Sequence, residues 1–138
     1  EIFENPRTLK VAEISNDPPM NILKGTKSSE KLNFENILIK SPSHFKNLSD
    51  QSYNFGIRAS EIKLDNQGEE FEIELAEISG SETLLHLKKG ESNVIALIEE
   101  VMNFKIHEKV KIKFNENKLY AFDQNEELVS SPYGVSHG

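Results

Sequence analysis

Glu69-Glu70-Phe71-Glu72-Ile73-Glu74-Leu75 and Lys109-Val110-Lys111-Ile112-Lys113-Phe114 decide the fold class. In the first stretch Phe71, Ile73 and Leu75 share one side of an extended chain, and Glu70, Glu72 and Glu74 share the other. The second repeats the pattern with the opposite charge: Val110, Ile112 and Phe114 on one side, Lys109, Lys111 and Lys113 on the other. A period of two with one apolar face is the signature of a half-buried strand. Phe71, Ile73, Leu75, Val110, Ile112 and Phe114 are therefore expected in the core. The opposite signs pair across one sheet, or they form an acidic and a basic patch that orients a partner; the pairing reading is the simpler.

Short apolar runs lie on either side. Thr83–Lys88 and Val94–Ile98 are apolar enough for central strands, and Leu119–Phe122 follows the turn Asn115-Glu116-Asn117. Earlier candidates are Asn21–Lys24, Leu32–Lys40 and Tyr53–Ile57. Gly25, Asn66-Gln67-Gly68, Gly80 and Lys89-Gly90 read as the turns between strands. No helical pattern separates the strands, which excludes a parallel α/β sheet. The expectation is an all-β antiparallel barrel or sandwich. One short helix is predicted over 6–15, capped by Asn5, started by Pro6 and stopped by Asp17-Pro18-Pro19. Residues 130–138 read as a loose tail.

Composition narrows the function. The chain has 138 residues, enough for one domain with a real core. A net charge of −7 argues against nucleic acid, whose phosphates need a cationic surface. Cysteine is absent, which removes disulfides, thiol nucleophiles and cysteine metal sites. No apolar run approaches the roughly 18 residues of a membrane span.

The usual constellations of catalysis are missing too. A phosphate loop needs Gly-x-x-x-x-Gly-Lys-Ser/Thr; Gly25-Thr26-Lys27-Ser28 lacks both the leading glycine and the Gly-Lys pair. His44, His86, His107 and His137 share no close metal spacing. From Asp65 to Glu82 there are seven acids and no base. They read as a solvated face, since acid–base work needs a carboxyl held in an apolar setting. Ser81 stands beside Glu82 and Thr83 without a histidine placed to activate it.

Three motifs carry a resemblance. They are Glu1-Ile2-Phe3-Glu4-Asn5-Pro6 with Pro18-Pro19-Met20-Asn21, then Phe55-Gly56-Ile57-Arg58, then Gly80-Ser81-Glu82-Thr83-Leu84-Leu85-His86. Val110–Glu127 adds a fourth, looser match. In order and spacing they resemble the C-terminal part of the ATP-binding subunit of sugar-type ABC transporters, the maltose and glycerol-3-phosphate group. Glu13, Asn16 and Ala59 depart from that family's pattern, which has an aromatic, a glycine and a proline there.

The resemblance implies a small OB-like antiparallel β-barrel of the transport-associated (TOBE) type over 21–129. Residues 1–20 would be the terminal helix and linker of an upstream ATPase domain. It implies a regulatory and dimerisation domain and not an enzyme, with ATP, magnesium and their motifs upstream of Glu1 and no cofactor or metal here. The implied partners are a second copy of the subunit, the membrane subunits through the upstream domain, and a regulatory protein or small ligand. The implied place is the cytoplasmic face of the cell membrane. Arg58, Glu61, Ser81, Glu82, Thr83 and His86 are the candidate contacts to a regulator, ligand or partner. His86 alternates with Leu85 and Leu87, and as a bare strand residue it is simply half exposed. Arg58 is read as structural, its guanidinium fork tying a turn to a carboxylate or to carbonyls; the alternative is a surface contact. Two other functions stay open: an ATPase-subunit domain for a polyamine, iron or another non-sugar solute, and a free-standing barrel binding an oxyanion such as molybdate.

Overall fold

The computed structural model describes residues 6–10, 18–34 and 37–133. The chain is all-β, with ten strands in two antiparallel sheets among the described residues. The strands are β1 (Asn21–Ser28), β2 (Lys31–Phe34), β3 (Ile37–Lys40), β4 (Ser52–Ile57), β5 (Ile62–Ser79), β6 (Glu82–Lys89), β7 (Ser92–Ile98), β8 (Lys109–Phe114), β9 (Tyr120–Phe122) and β10 (Leu128–Ser130). They fall in two compact units, Glu1–Ile57 with Glu116–Gly138, and Arg58–Asn115.

The first unit holds a six-stranded sheet ordered β10-β9-β4-β1-β2-β3. Its core contains an aromatic cluster: the Phe55 ring lies 5.7 Å from Phe34, 5.8 Å from Phe45 and 5.9 Å from Tyr53 between centroids. These are separations at which aromatic pairs attract beyond their buried area. A second group packs Leu9, Met20, Tyr120, Phe122 and Leu128 together. Gly25, expected as a turn, lies inside β1. A Cβ there would sit 2.5 Å from the Asn33 carbonyl oxygen, so glycine is needed for close approach of β2 and not for a bend. The stretch read as one strand over 32–40 is two paired strands, β2 and β3.

The termini of this unit depart from expectation. Residues 6–8 are not helical: Thr8 bridges Glu127, and Leu128 donates its amide to the Arg7 carbonyl at 2.8 Å. Helical geometry begins at Leu9 and Lys10, and the rest of the predicted helix lies outside the described residues. The supposed tail starts inside the sheet. Ser130 belongs to β10, is fully buried, and donates its hydroxyl to the His44 carbonyl at 2.8 Å. Ser131 is also buried and accepts the Tyr133 amide. Sequence reading missed β10 because three residues are too few to display a period.

The second unit is a four-stranded sheet ordered β7-β6-β5-β8. Phe71, Ile73, Leu85, Leu87, Val94, Ile112 and Phe114 are buried in it. Phe71 meets Phe114 edge-on at 6.3 Å. The predicted inward face thus holds at Phe71, Ile73, Ile112 and Phe114, is half-buried at Val110, and fails at Leu75, which is 43% exposed. A β-bulge causes the failure. Ile73 lies opposite Leu87 but Leu75 lies opposite His86, so Glu74 is an extra residue and the side-chain alternation inverts after it.

A second, larger bulge replaces the expected turn at Asn66-Gln67-Gly68. Leu64 and Glu69 both face Ile112, and the residues between them loop out of the ladder. The Asp65 carboxylate accepts the Gln67 amide at 2.8 Å and shapes this loop. A Cβ on Gly68 would overlap the Ile112 carbonyl. Gly80 and Gly90, by contrast, take positive φ (61° and 60°) in the tight β5–β6 and β6–β7 hairpins, as glycine allows without strain.

Candidate functional site

All six candidate residues lie in the second unit, and they fall at three places. Arg58 precedes the 3-10 turn Ala59–Glu61, and Glu61 closes it. Arg58 is half-buried with extended backbone, and its carbonyl accepts the Glu61 amide at 2.9 Å. Glu61 reaches the end of β8: its carbonyl accepts the Asn115 amide at 3.1 Å, and its carboxylate accepts the Asn115 side chain, also at 3.1 Å. This turn therefore ties the entry of β5 to the exit of β8.

Ser81 is exposed in the β5–β6 hairpin, and Glu82 opens β6 half-buried. Thr83 is fully buried. Its hydroxyl donates to the Glu100 carbonyl at 2.8 Å and accepts the Met102 amide at 3.0 Å. Both capacities of the side chain are thus spent on holding the connection between β7 and β8. Thr83 is a strut for that loop and offers nothing to a ligand.

His86 lies on the outer face, its Nε2 3.0 Å from a Glu77 carboxylate oxygen. The inversion after Glu74 puts Leu75 beside it, and the same register brings Glu77 opposite Leu84. That shared face also takes Ile95 and Leu97 from β7. The three groups of candidates are not brought into one cleft.

The acid and base faces of β5 and β8 do meet. Glu70 lies opposite Lys111 and Glu72 opposite Lys109, as cross-strand pairing requires. Sequence reading missed the residue that completes this cluster, His107. Its Nδ1 lies 2.6 Å from a Glu72 oxygen, and its amide donates to the Ile73 carbonyl at 2.6 Å. His107 takes a positive φ of 76°, which turns the β7–β8 loop into β8. No local signal links residues 35 positions apart. The hydrogen bond from His107 holds the Glu72 carboxyl below the ordinary carboxylate range, and the charges of His107, Lys109 and Lys88 act in the same sense.

An open polar cleft of about 450 Å³ beside this cluster is lined by Glu70, Glu72, Lys88, Lys89 and Lys109 among others. Its charges are mixed, and it has no apolar wall of the kind that encloses most small molecules. In the first unit Lys27 is buried, yet its ammonium reaches Asp50 at 3.3 Å. The Ser29 amide also donates to Asp50 at 2.9 Å, and these two bonds, the Ser29 one first, lower its carboxyl. This pair secures the β1–β2 turn and has no catalytic geometry. Among the described residues, no group of three or more His, Asp or Glu gathers as a metal site, and no helix is long and apolar enough to cross a membrane.

No family-wide sequence profile matches the chain. Individual proteins do. The chain is homologous to the sn-glycerol-3-phosphate import ATP-binding protein UgpC of Shigella sonnei (strain Ss046), 26% identical over 129 residues. The same protein of Escherichia coli O1:K1 / APEC and of Escherichia coli (strain K12) matches equally, at 26% over 129 residues. In each case the match takes in 89% of this chain and 36% of the relative. The chain thus spans little more than a third of the length of the curated relatives it matches, and the matched portion is their C-terminal part.

Proposed function

We infer that this chain is the C-terminal regulatory and dimerisation domain of the ATP-binding subunit of an ABC importer for a carbohydrate-type solute. The observation that carries the inference is homology over 89% of the chain to one portion of import ATP-binding proteins. The motif order read from Pro18-Pro19-Met20-Asn21, Gly56-Ile57-Arg58 and Gly80 to His86 points the same way. An all-β chain with two antiparallel sheets is consistent with an OB-like, TOBE-type barrel over 21–129, with residues 1–20 as its link to an ATPase domain.

In this reading the domain performs no chemistry. ATP and magnesium bind upstream, where a phosphate loop supplies the cradle that Gly25-Thr26-Lys27-Ser28 lacks. The domain acts by contact. It joins a second copy of the subunit through a two-fold patch, and it passes regulatory signals to ATPase domains that engage membrane subunits at the inner face of the membrane. Arg58 and Glu61 hold the turn that starts the second unit, while Ser81, Glu82 and His86 remain surface contacts for a regulator.

The test uses the full-length subunit with its membrane partners in proteoliposomes. Deleting the chain from Asn21 onward should leave nucleotide binding intact, weaken subunit dimerisation and abolish regulation of import. Unchanged dimerisation and unchanged regulation would remove the regulatory reading. A start codon immediately before Glu1, with no phosphate loop upstream, would remove the transporter reading altogether.

A further inference from the structure

β5 is the longest strand, and β8 pairs with only part of it. The β5–β8 ladder ends at Glu72 opposite Lys109, with Ile73 still held by the His107 amide and the Glu108 carbonyl. From Glu74 to Ser79, β5 pairs with β6 on one side and with no described strand on the other. An exposed edge of this kind presents backbone groups that invite an added strand.

The side chains around this edge are unusual for a surface. Ile78 on the edge itself is 51% exposed, and Val101 and Ile106 on the β7–β8 loop are 52% and 56% exposed; Leu75, 43% exposed, lies on the opposite face with His86. The loop is fixed at both ends of the edge. The Thr83 hydroxyl, whose residue lies opposite Ile78, holds the backbone of residues 100 and 102 on either side of Val101 and so anchors the loop at that end. The His107 amide bonds the Ile73 carbonyl, which sets Ile106 at the other end. Apolar groups exposed together in this way mark contact sites.

The charges select the partner. Glu74 and Glu77 lie on the strand, and Glu99 and Glu100 lead into the loop. Glu77 has His86, while Glu74, Glu99 and Glu100 make no ion pair with another described residue. A second copy pairing antiparallel through this edge would bring Glu74 and Glu77 against their own equivalents, and like charges opposed in a sheet are destabilising. Acidic residues on an edge discourage indiscriminate pairing; they leave it open to a strand of opposite charge.

We propose that the β5 edge from Glu74 to Ser79 takes an extended basic peptide segment as an added strand, its alternate apolar side chains resting on Ile78, Val101 and Ile106 and its basic ones on the surrounding glutamates. The inference is independent of the transported solute and adds a partner class and a place to the regulatory reading.

The probe is a short synthetic peptide alternating Lys and Val, titrated into the 138-residue chain and followed by amide chemical shifts. Saturable binding at one site per chain is expected, with the largest shifts at Glu74–Ser79, Val101 and Ile106, and affinity falling as salt rises. A peptide alternating Glu and Val should not bind. Replacing Val101 and Ile106 together by Ser, both exposed, should leave the melting temperature unchanged and weaken binding by about tenfold or more. Ile78→Lys should weaken it further. Shifts centred elsewhere, equal binding of the acidic peptide, indifference to the Val101 and Ile106 changes, or dimerisation of the chain through this edge in sedimentation would each overturn the proposal.

Discussion

Thr83→Val is the substitution that best tests how the second unit is held together. Valine keeps the shape and the β-branched backbone preference of threonine, so little cavity is created at this fully buried position. What is lost is the hydroxyl that donates to the Glu100 carbonyl and accepts the Met102 amide. Each hydrogen bond contributes about 1 kcal/mol net, and a buried group left unpaired costs about 1–3 kcal/mol. Glu100 is exposed, so its carbonyl recovers water, whereas half-buried Met102 does not regain a full partner. The expected destabilisation is about 2–3 kcal/mol. For a chain of 138 residues that lowers the melting temperature by roughly 7–10 °C. Hydrogen exchange should show the loss first at the Met102 amide, which donates to the Thr83 hydroxyl. Thr83→Ser, which retains the hydroxyl, should preserve that protection. If Thr83→Val left the Met102 amide protected and the melting temperature within about 1 °C, the strut reading would be wrong.

Three further outcomes follow from the same geometry. Ile112→Ala, at a fully buried site where β8 faces β5, should cost about 2–5 kcal/mol by urea unfolding, while Lys111→Ala on the opposite face should stay within about 0.5 kcal/mol. Glu72 and Asp50 have folded pKa values depressed below their ordinary 4.5 and 3.8. Their contribution is therefore present above those values and lost as pH falls through the depressed ones; urea midpoints measured down the acid range should fall there, and Glu72→Gln with Asp50→Asn should flatten that slope. Arg58→Lys should lower the melting temperature of the chain by itself, because a point charge cannot replace a planar fork at a half-buried turn; unchanged melting with impaired regulation in the full-length subunit would make Arg58 a contact residue instead.

The strands were legible where charge and apolarity alternate without interruption. Phe71, Ile73, Ile112 and Phe114 lie where the period of two puts them. Leu75 does not, because a bulge depends on the partner strand and leaves no mark on local alternation. Gly25 and Asn66-Gln67-Gly68 misled for a related reason: glycine serves close approach and bulges as well as turns, and only the neighbouring chain at Asn33 or Ile112 tells which. The Gly80 and Gly90 hairpins were readable because the local sequence alone demands positive φ.

The candidate site was legible only in part. The exposed position of Ser81 and the half-exposed position of His86 follow from strand alternation and hairpin placement. The strut role of Thr83 does not, since its partners come from the far end of β7. The His107–Glu72 contact joins two elements distant in sequence, and the open β5 edge exists only because β8 is shorter than β5. Such features belong to topology and not to any one segment.

The central claim is that this chain serves a transport ATPase without itself handling nucleotide. Calorimetric titration of magnesium-ATP into the 138-residue chain and, in parallel, into the full-length polypeptide that contains it tests the claim most directly. The account predicts no specific heat from the chain alone and one nucleotide site per subunit in the full-length polypeptide. Saturable micromolar binding by the chain alone, or no nucleotide binding by the full-length polypeptide, would contradict it.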